Sequence, residues 1–293
     1  NYTTNMATMV ITTNHFTYLS TNYFNAYALW LNQAAVAHNL DYVSIKNEPD
    51  LYASGDLNMS PEEMRIFCRS NAPAIGRPVT MADAVGFTDS VSDPTLNDPV
   101  AASHVAVVSG HFYGGGNRVH SNALAKGKAV WMTEHYLDGC VTNYAVCLNL
   151  AKEISDAMNN QFSAYVAWWA QDGDVNINLA NASGAILKDG CTMGQFAKFI
   201  RPGFYRIGTT NEGNGAEITA YKDLASSNYV IVAINRGSTV ITQQFNLSGF
   251  PVVAITPWIT SYTQSLAAQT PITGIGSSFI YSIQPSNIVT FVG

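Results

Sequence analysis

The sequence predicts an α/β region built on a parallel sheet, followed by a smaller all-β, antiparallel domain. Two patterns carry that expectation. In the first two-thirds, five apolar runs lack the polar alternation of half-exposed strands and read as strands covered on both faces: Tyr42–Asn47, Val79–Ala82, Val105–Tyr113, Ala129–Thr133 and Ala164–Trp169. Segments of helical period lie between them, and repeated strand–helix units imply a parallel sheet. From Phe204 onward the pattern turns to period two, in Ile218–Tyr221, Tyr229–Asn235, Val240–Leu247, Val252–Trp258, Phe279–Ile283 and Ile288–Val292, separated by Gly, Asn, Ser and Pro turns. The composition shifts near Arg201-Pro202-Gly203, which divides the chain into residues 1–203 and 204–293.

The helices announce their ends. In Ser60-Pro61-Glu62-Glu63 the serine can cap, the proline suits the first helical position, and both acids complement the helix dipole. That helix is expected to run toward Ala72. Others are expected over Tyr23–Ala37, Tyr144–Asn159 and Thr192–Ile200, the last stopped by Pro202-Gly203.

Composition narrows the function classes. Of the 293 residues 47% are hydrophobic, which excludes wholesale disorder, and no apolar run reaches the roughly 18 to 20 residues of a membrane-spanning helix. Charged residues make up 12%, and Asn, Thr, Ser, Gly and Tyr are plentiful, a balance that suits secreted, sugar-handling proteins. A net charge of -6 without any Lys/Arg cluster argues against nucleic acid or an anionic membrane as partner. Cys68, Cys140, Cys147 and Cys191 show no metal-ligand spacing, so no metal site is expected. Cys140 and Cys147 can close a small loop in an oxidising compartment or remain buried thiols; both options stand. No charged segment followed by an apolar stretch opens the chain, so a signal peptide is expected to have been removed or never present.

Two acids end apolar strands. Glu48 closes Tyr42-Val43-Ser44-Ile45-Lys46-Asn47-Glu48-Pro49, and Glu134 follows Ala129-Val130-Trp131-Met132-Thr133. In parallel β/α barrels strand ends gather catalytic groups. Glu48 is placed to protonate a leaving-group oxygen while Asn47 binds a sugar hydroxyl. Retaining glycosidases need two carboxyl groups about 5 to 5.5 Å apart, one exchanging a proton and the other attacking the anomeric carbon. Paired acids at strand ends also serve as metal ligands or ordinary caps, and that alternative stays open. Aromatic residues favour sugar: Phe112 and Tyr113 end one strand, Tyr136 follows Glu134, and Trp168-Trp169 end another. Core packing is the commoner role for at least one of the two tryptophans. His111 and His135 either orient the carboxylates or are satisfied structural histidines. Phosphate-binding loops, a G-x-S-x-G elbow and an H-E-x-x-H zinc motif are all absent from the sequence.

The strings YVSIKNEPD (42–50), MSPEEM (59–64), SDPTLNDPVA (92–101), SGHFYG (109–114), VWMTEHY (130–136), AYVAWW (164–169) and QFAKFIRPGFYRI (195–207) resemble, in order, glycoside hydrolase family 30 and its bacterial-type xylanase branch. The resemblance implies a (β/α)8 TIM barrel with a fused antiparallel β-sandwich side domain. It implies a retaining endo-β-1,4-xylanase that is secreted, uses no cofactor and takes xylan as its polysaccharide partner. Glu48 matches the family's acid/base, Glu134 its nucleophile, and Asn47 the residue that binds the 2-hydroxyl at the cleavage point. Tyr113 and Trp168 match ring-binding positions of the cleft, and His111 and Tyr136 join the expected substrate site. Within the family, cleavage of β-1,6-glucan or galactan is the alternative activity, and a catalytically weak glycan-binding remnant is the alternative from another class.

Two departures qualify the match. Branch members that require glucuronic acid side groups use a basic, Tyr-containing loop after the last barrel strand, whereas Gln171-Asp172-Gly173-Asp174-Val175-Asn176 holds two acids and no Arg. Glucuronate is therefore expected not to be required. Before Tyr42 there is room for at most one short strand and a helix where the family places three barrel strands. A partial barrel of strands four to eight is expected, short of the usual fold by roughly 100 residues. Its open edge is expected to be covered by association, as a homodimer.

Overall fold

The computed structural model describes residues 10–13, 16–51, 57–173, 177–210, 215–226, 228–249 and 252–293. They form two compact units, Asn1–His135 with Asn160–Val166, and Tyr136–Asn159 with Ala167–Gly293.

In the first unit, β1 (Val10–Thr13) pairs antiparallel with β2 (Phe16–Leu19) ahead of α1 (Phe24–Ala37). This corrects the expectation of at most one strand before the helix. The strands are only four residues each and carry little apolar signal, and β2 gains a parallel partner far along the chain, β4 (Leu57–Asn58). The main sheet has five strands in the order β3 (Val43–Ser44), β5 (Val79–Ala84), β6 (Val105–His111), β7 (Ala129–His135) and β8 (Ala164–Ala167). The pairs β3/β5, β5/β6 and β6/β7 are parallel. This is the parallel sheet that the apolar runs predict and the partial β/α barrel that the resemblance implies. Burial explains why those runs lack alternation: all six residues of β5 and six of seven in β6 are buried.

Helix α1 buries Phe24, Ala28, Leu31 and Ala35, one stripe at helical spacing. These join Met64, Phe67 and Cys68 of α2 (Pro61–Ser70) and Val43, Ile45, Val79 and Met81 of the sheet in one core. The predicted start of α2 holds in full. Ser60 accepts from the Glu63 amide, and the Glu63 carboxylate accepts from the Ser60 amide, the reciprocal capping box. Shorter helices follow, α3 (Asp89–Asn97), α4 (Pro99–Ser103) and α5 (Ser121–Ala125), which the sequence leaves unmarked because they are brief and rich in Ser, Asp and Pro. Asp98 caps α4 and takes ion pairs from Arg65 and Arg69 of α2 at 2.5 and 2.7 Å. Arg69, the Ala101 amide and Arg65 together hold its carboxyl below the usual carboxylate range against the opposing effect of burial.

The second unit packs two helices on a β-sandwich. One sheet runs β14 (Ala267–Ala268), β13 (Val252–Thr260), β17 (Asn287–Val292), β11 (Tyr229–Asn235), β10 (Glu217–Asp223), β9 (Phe204–Ile207), with β15 (Ile272–Gly276) also paired to β13. The other is the pair β12 (Ile241–Asn246) and β16 (Ser278–Ile283). Phe245 of β12 and Phe279 of β16 stack at 4.6 Å, and both meet Phe291 of β17 at 5.0 and 5.2 Å, closing the core between the sheets. Every residue of β11 is buried, because helices cover its other face. Helix α6 (Tyr144–Asn159) packs on β10, β11 and β17, and α7 (Lys188–Ala197) on β13 and β17. Tyr144 donates to the Thr260 carbonyl at 2.8 Å, and Lys188 donates to the carbonyls of Ser261 and Gln264 at 2.7 and 2.6 Å, fixing both helices to the end of β13.

Cys140 and Cys147 are joined by a disulfide, which settles that open pair, while Cys68 and Cys191 are buried free thiols. Asp189 lies beside the disulfide at the start of α7, 3% exposed, and its Oδ1 has no hydrogen-bond partner among the described residues. Burial, reinforced by the charge of Asp138, pushes its carboxyl up to about 7. The folded protein therefore keeps a proton that the unfolded chain releases near pH 4, and this group makes stability fall as pH rises from about 4 toward 7. Asp189→Asn is expected to flatten that part of the stability profile. Urea midpoints between pH 4 and 7 measure it, and an unchanged slope refutes the assignment.

Candidate active site

The parallel sheet delivers Glu48 and Glu134 to one place. Glu48 lies just beyond β3, in a turn fixed by three hydrogen bonds: its own amide donates to the Asp83 carbonyl at 3.0 Å, the Leu51 amide to the Glu48 carbonyl at 3.1 Å, and the Val85 amide to Asp50 Oδ1 at 2.9 Å. Its φ of 46° is in the left-handed region, which a non-glycine residue holds only where its surroundings determine it. Glu134 sits within β7, one residue before the strand's end.

His111, the last residue of β6, stands between the two acids. Its Nδ1 is 2.8 Å from Glu48 Oε1 and 3.9 Å from Glu134 Oε1, and the ring is 2% exposed. The Tyr113 hydroxyl donates to Glu134 Oε1 at 3.0 Å. Carboxylate oxygens and imidazole nitrogen all lie within 4.8 Å of one another. The Glu48 and Glu134 side chains are 14% and 18% exposed, shielded yet open to a ligand. His111 owes its position partly to Gly110. A Cβ there would come within 2.4 Å of the Phe87 ring, so only glycine lets β6 pass so close.

A cavity of about 590 Å³ opens beside Glu134, lined also by Asn47, His111, Ser44, Asp83 and Thr133. Tyr42 and Trp131 meet edge to face at 4.7 Å on its wall. Asn47 thus shares a cavity with two of the other predicted residues. Phe112 and His135 pack together with Phe162 and Tyr165 and are buried, so of the two histidines His111 is the one that contacts the acids. Tyr136 and Trp168 belong to the second unit, 39% and 36% exposed, and Trp168 lies against Trp169 at 4.1 Å. The Trp169 indole nitrogen is buried, although the residue as a whole is half-buried. Asp83 escapes a sequence reading, because it follows directly on the apolar run Val79–Ala82 and reads as the end of the strand. Two oxygens and one imidazole nitrogen this close have the composition of a cation site as well.

A parallel β/α half-barrel that brings two carboxyl groups together at its strand ends, with an aromatic-walled cavity against one of them, has the parts of a glycoside hydrolase. Comparison with known proteins narrows the class. No family model matches the chain. It is 33% identical over 289 residues to the glucuronoxylanase XynC of Bacillus subtilis strain 168, covering 94% of this chain. Among solved structures it is similar to a GH30 endoxylanase from Clostridium papyrosolvens C71 (TM-score 0.91, 32% identity) and to the glycoside hydrolase family 30 subfamily 8 xylanase Xyn30A from Clostridium acetobutylicum (TM-score 0.90, 32% identity). Both comparisons cover 98% of this chain and 76% of the other. The chain belongs to glycoside hydrolase family 30. It spans 67% and 61% of the length of two curated relatives.

Tyr113→Phe removes the hydroxyl that orients Glu134 without changing the ring. Loss of a hydrogen bond to a charged group is expected to lower kcat by about tenfold with KM nearly unchanged, as steady-state hydrolysis of a polymeric substrate will measure.

Proposed function

We propose that this chain is a retaining endo-β-1,4-xylanase with Glu48 as acid/base and Glu134 as nucleophile. The observation that carries the proposal is the cluster of Glu48, His111 and Glu134 with its ligand atoms within 4.8 Å, on a chain that is one-third identical to a glucuronoxylanase. That spacing suits direct attack by one carboxylate, since an inverting pair needs about 6.5 to 9.5 Å to admit a water between acid and sugar. Glu134, oriented by Tyr113, attacks the anomeric carbon and forms a glycosyl ester as the C–O bond to the leaving sugar breaks. Glu48 supplies the proton to the departing oxygen. Water then attacks the anomeric carbon as its bond to the Glu134 oxygen breaks, Glu48 takes the water's proton, and Glu134 is released as a carboxylate. His111 holds Glu48 in place through both steps. Asn47 bonds the 2-hydroxyl of the sugar at the cleavage point, and Tyr113, Tyr136 and Trp168 supply ring surfaces to the xylan chain.

In this proposal residues 1–203 carry the catalytic half-barrel and 204–293 the side domain. Secretion fits the polymeric substrate and the disulfide. Among the described residues no helix is long and apolar enough to cross a membrane. β3 is an edge strand of the five-stranded sheet and Tyr42 before it is exposed, and a second copy covering that open edge is the proposed partner; sizing with light scattering tests it, and a non-aggregating monomer counts against it. Gln171, Asp172 and Gly173 are exposed, whereas Asp174, Val175 and Asn176 lie outside the described residues. With two acids and no Arg in the loop, xylan without glucuronate is proposed as a substrate.

Reducing-sugar release from arabinoxylan and glucuronoxylan tests the activity. Both are expected to be cut at comparable rates, and cleavage of glucuronoxylan alone overturns the side-group proposal. Glu134→Gln is expected to abolish turnover, and Glu48→Gln to lower it by about 100- to 10,000-fold. Binding of xylan without hydrolysis by the wild type would instead identify a glycan-binding protein.

A further inference from the structure

We infer that Asp83 is the positioning residue that sets the separation of Glu48 and Glu134, an inference that rests on the catalytic assignment above. Asp83 is the acid within β5, 4% exposed, and β5 lies between β3 and β6 in the sheet. One oxygen of its carboxylate, Oδ1, accepts from Thr133 Oγ1 at 2.5 Å, and Thr133 directly precedes Glu134. The other, Oδ2, accepts from Ser44 Oγ on β3, the strand that leads to Glu48. Its backbone carbonyl accepts the Glu48 amide at 3.0 Å. A single residue thereby grips the strands of both acids.

The backbone makes the grip consequential. Asp83 has φ 49° and Glu48 φ 46°, two left-handed residues joined by a hydrogen bond. For an L-residue such a conformation persists only when surrounding bonds fix it. The two hydroxyls that hold the Asp83 side chain are those bonds, and through the carbonyl they hold the Glu48 turn. Thr133 Oγ1 also lies 3.4 Å from the Gly110 carbonyl, next to His111, so the same contact reaches the strand that carries the histidine. A carboxylate buried among hydroxyls, with no ion pair recorded among the described residues, is costly to bury. A merely space-filling position on a buried strand would be served by an apolar side chain.

The substitutions separate bridging from bulk structure. Asparagine accepts from one hydroxyl and donates to the other, and it tolerates positive φ. Alanine does neither. On xylan, Asp83→Ala is expected to lower kcat by about 100-fold, the scale of an ångström-sized misplacement, while KM stays within about threefold. Asp83→Asn is expected to restore most of the loss, and Thr133→Val to reproduce part of it. The double variant Asp83→Ala/Thr133→Val should be no slower than Asp83→Ala, because both break one bridge. Melting temperatures confirm that each variant folds; if Asp83→Ala does not, Asp83→Asn and Thr133→Val decide. A crystal structure of the most impaired folded variant should show Glu48 turned out of its left-handed conformation and the His111–Glu48 bond lost. Wild-type kcat in folded Asp83→Ala, multiplying effects in the double variant, or an unmoved Glu48 overturns the inference. Absence of hydrolysis in the wild type overturns the catalytic assignment instead, and the Glu48 geometry of the variants still tests Asp83.

Discussion

Two carboxyl groups meet one imidazole with their ligand atoms within 4.8 Å, and the first unit of this protein is organised around holding them there. Polar side chains kept so close need rigid supports, since a loose side chain would simply swing away into water. The supports are the parallel ladder, which fixes β6 and β7 side by side, and the turn after β3, which is tied by backbone amides to β5. The core beneath, from α1 and α2 against β3, β5 and β6, keeps the ladder from shearing. In the second unit, α6 and α7 and the stacked phenylalanines keep a β-sandwich closed.

Function follows from using strand ends instead of long loops. Each acid sits within a residue or a few of a paired strand, where the backbone has little freedom, so the sheet limits how far either can move. Tyr113, just past the end of β6, is 37% exposed yet hydrogen-bonded to Glu134.

Much of this was legible in the sequence, for identifiable reasons. Apolar runs without alternation record burial on both faces in β5 and β6, whereas β7, which lies in a run of the same kind, buries only Val130, Met132 and His135, because its other face is only partly covered. The capping box of α2 is local chemistry within four residues, so it could be read without knowing the fold. Tyr144–Asn159 and Tyr229–Asn235 agree with the expected bounds because each carries an unbroken period. Other features were hidden. The run Tyr42–Asn47 narrows to a strand of two residues, since pairing depends on β5 and its register. Helix α7 begins at Lys188, earlier than expected, because its first turn contains Asp189 and Gly190, which read as loop. The expected N-terminal residues Asn1–Met9 lie outside the described residues. Asp83 was hidden for a different reason: its importance comes from Ser44 and Thr133, 39 and 50 residues away, and no local pattern encodes that.

The disulfide between Cys140 and Cys147 has a consequence for where such a chain can be handled. Its sulfurs and an Asp189 oxygen lie within 4.8 Å of one another in a buried pocket. Cys140 precedes α6 and Cys147 lies in its first turn, so the bridge pins the start of that helix across a separation of seven residues. Such a bond forms and persists in an oxidising compartment, and chain prepared in a reducing cytosol would keep two thiols there and lose that covalent restraint on α6.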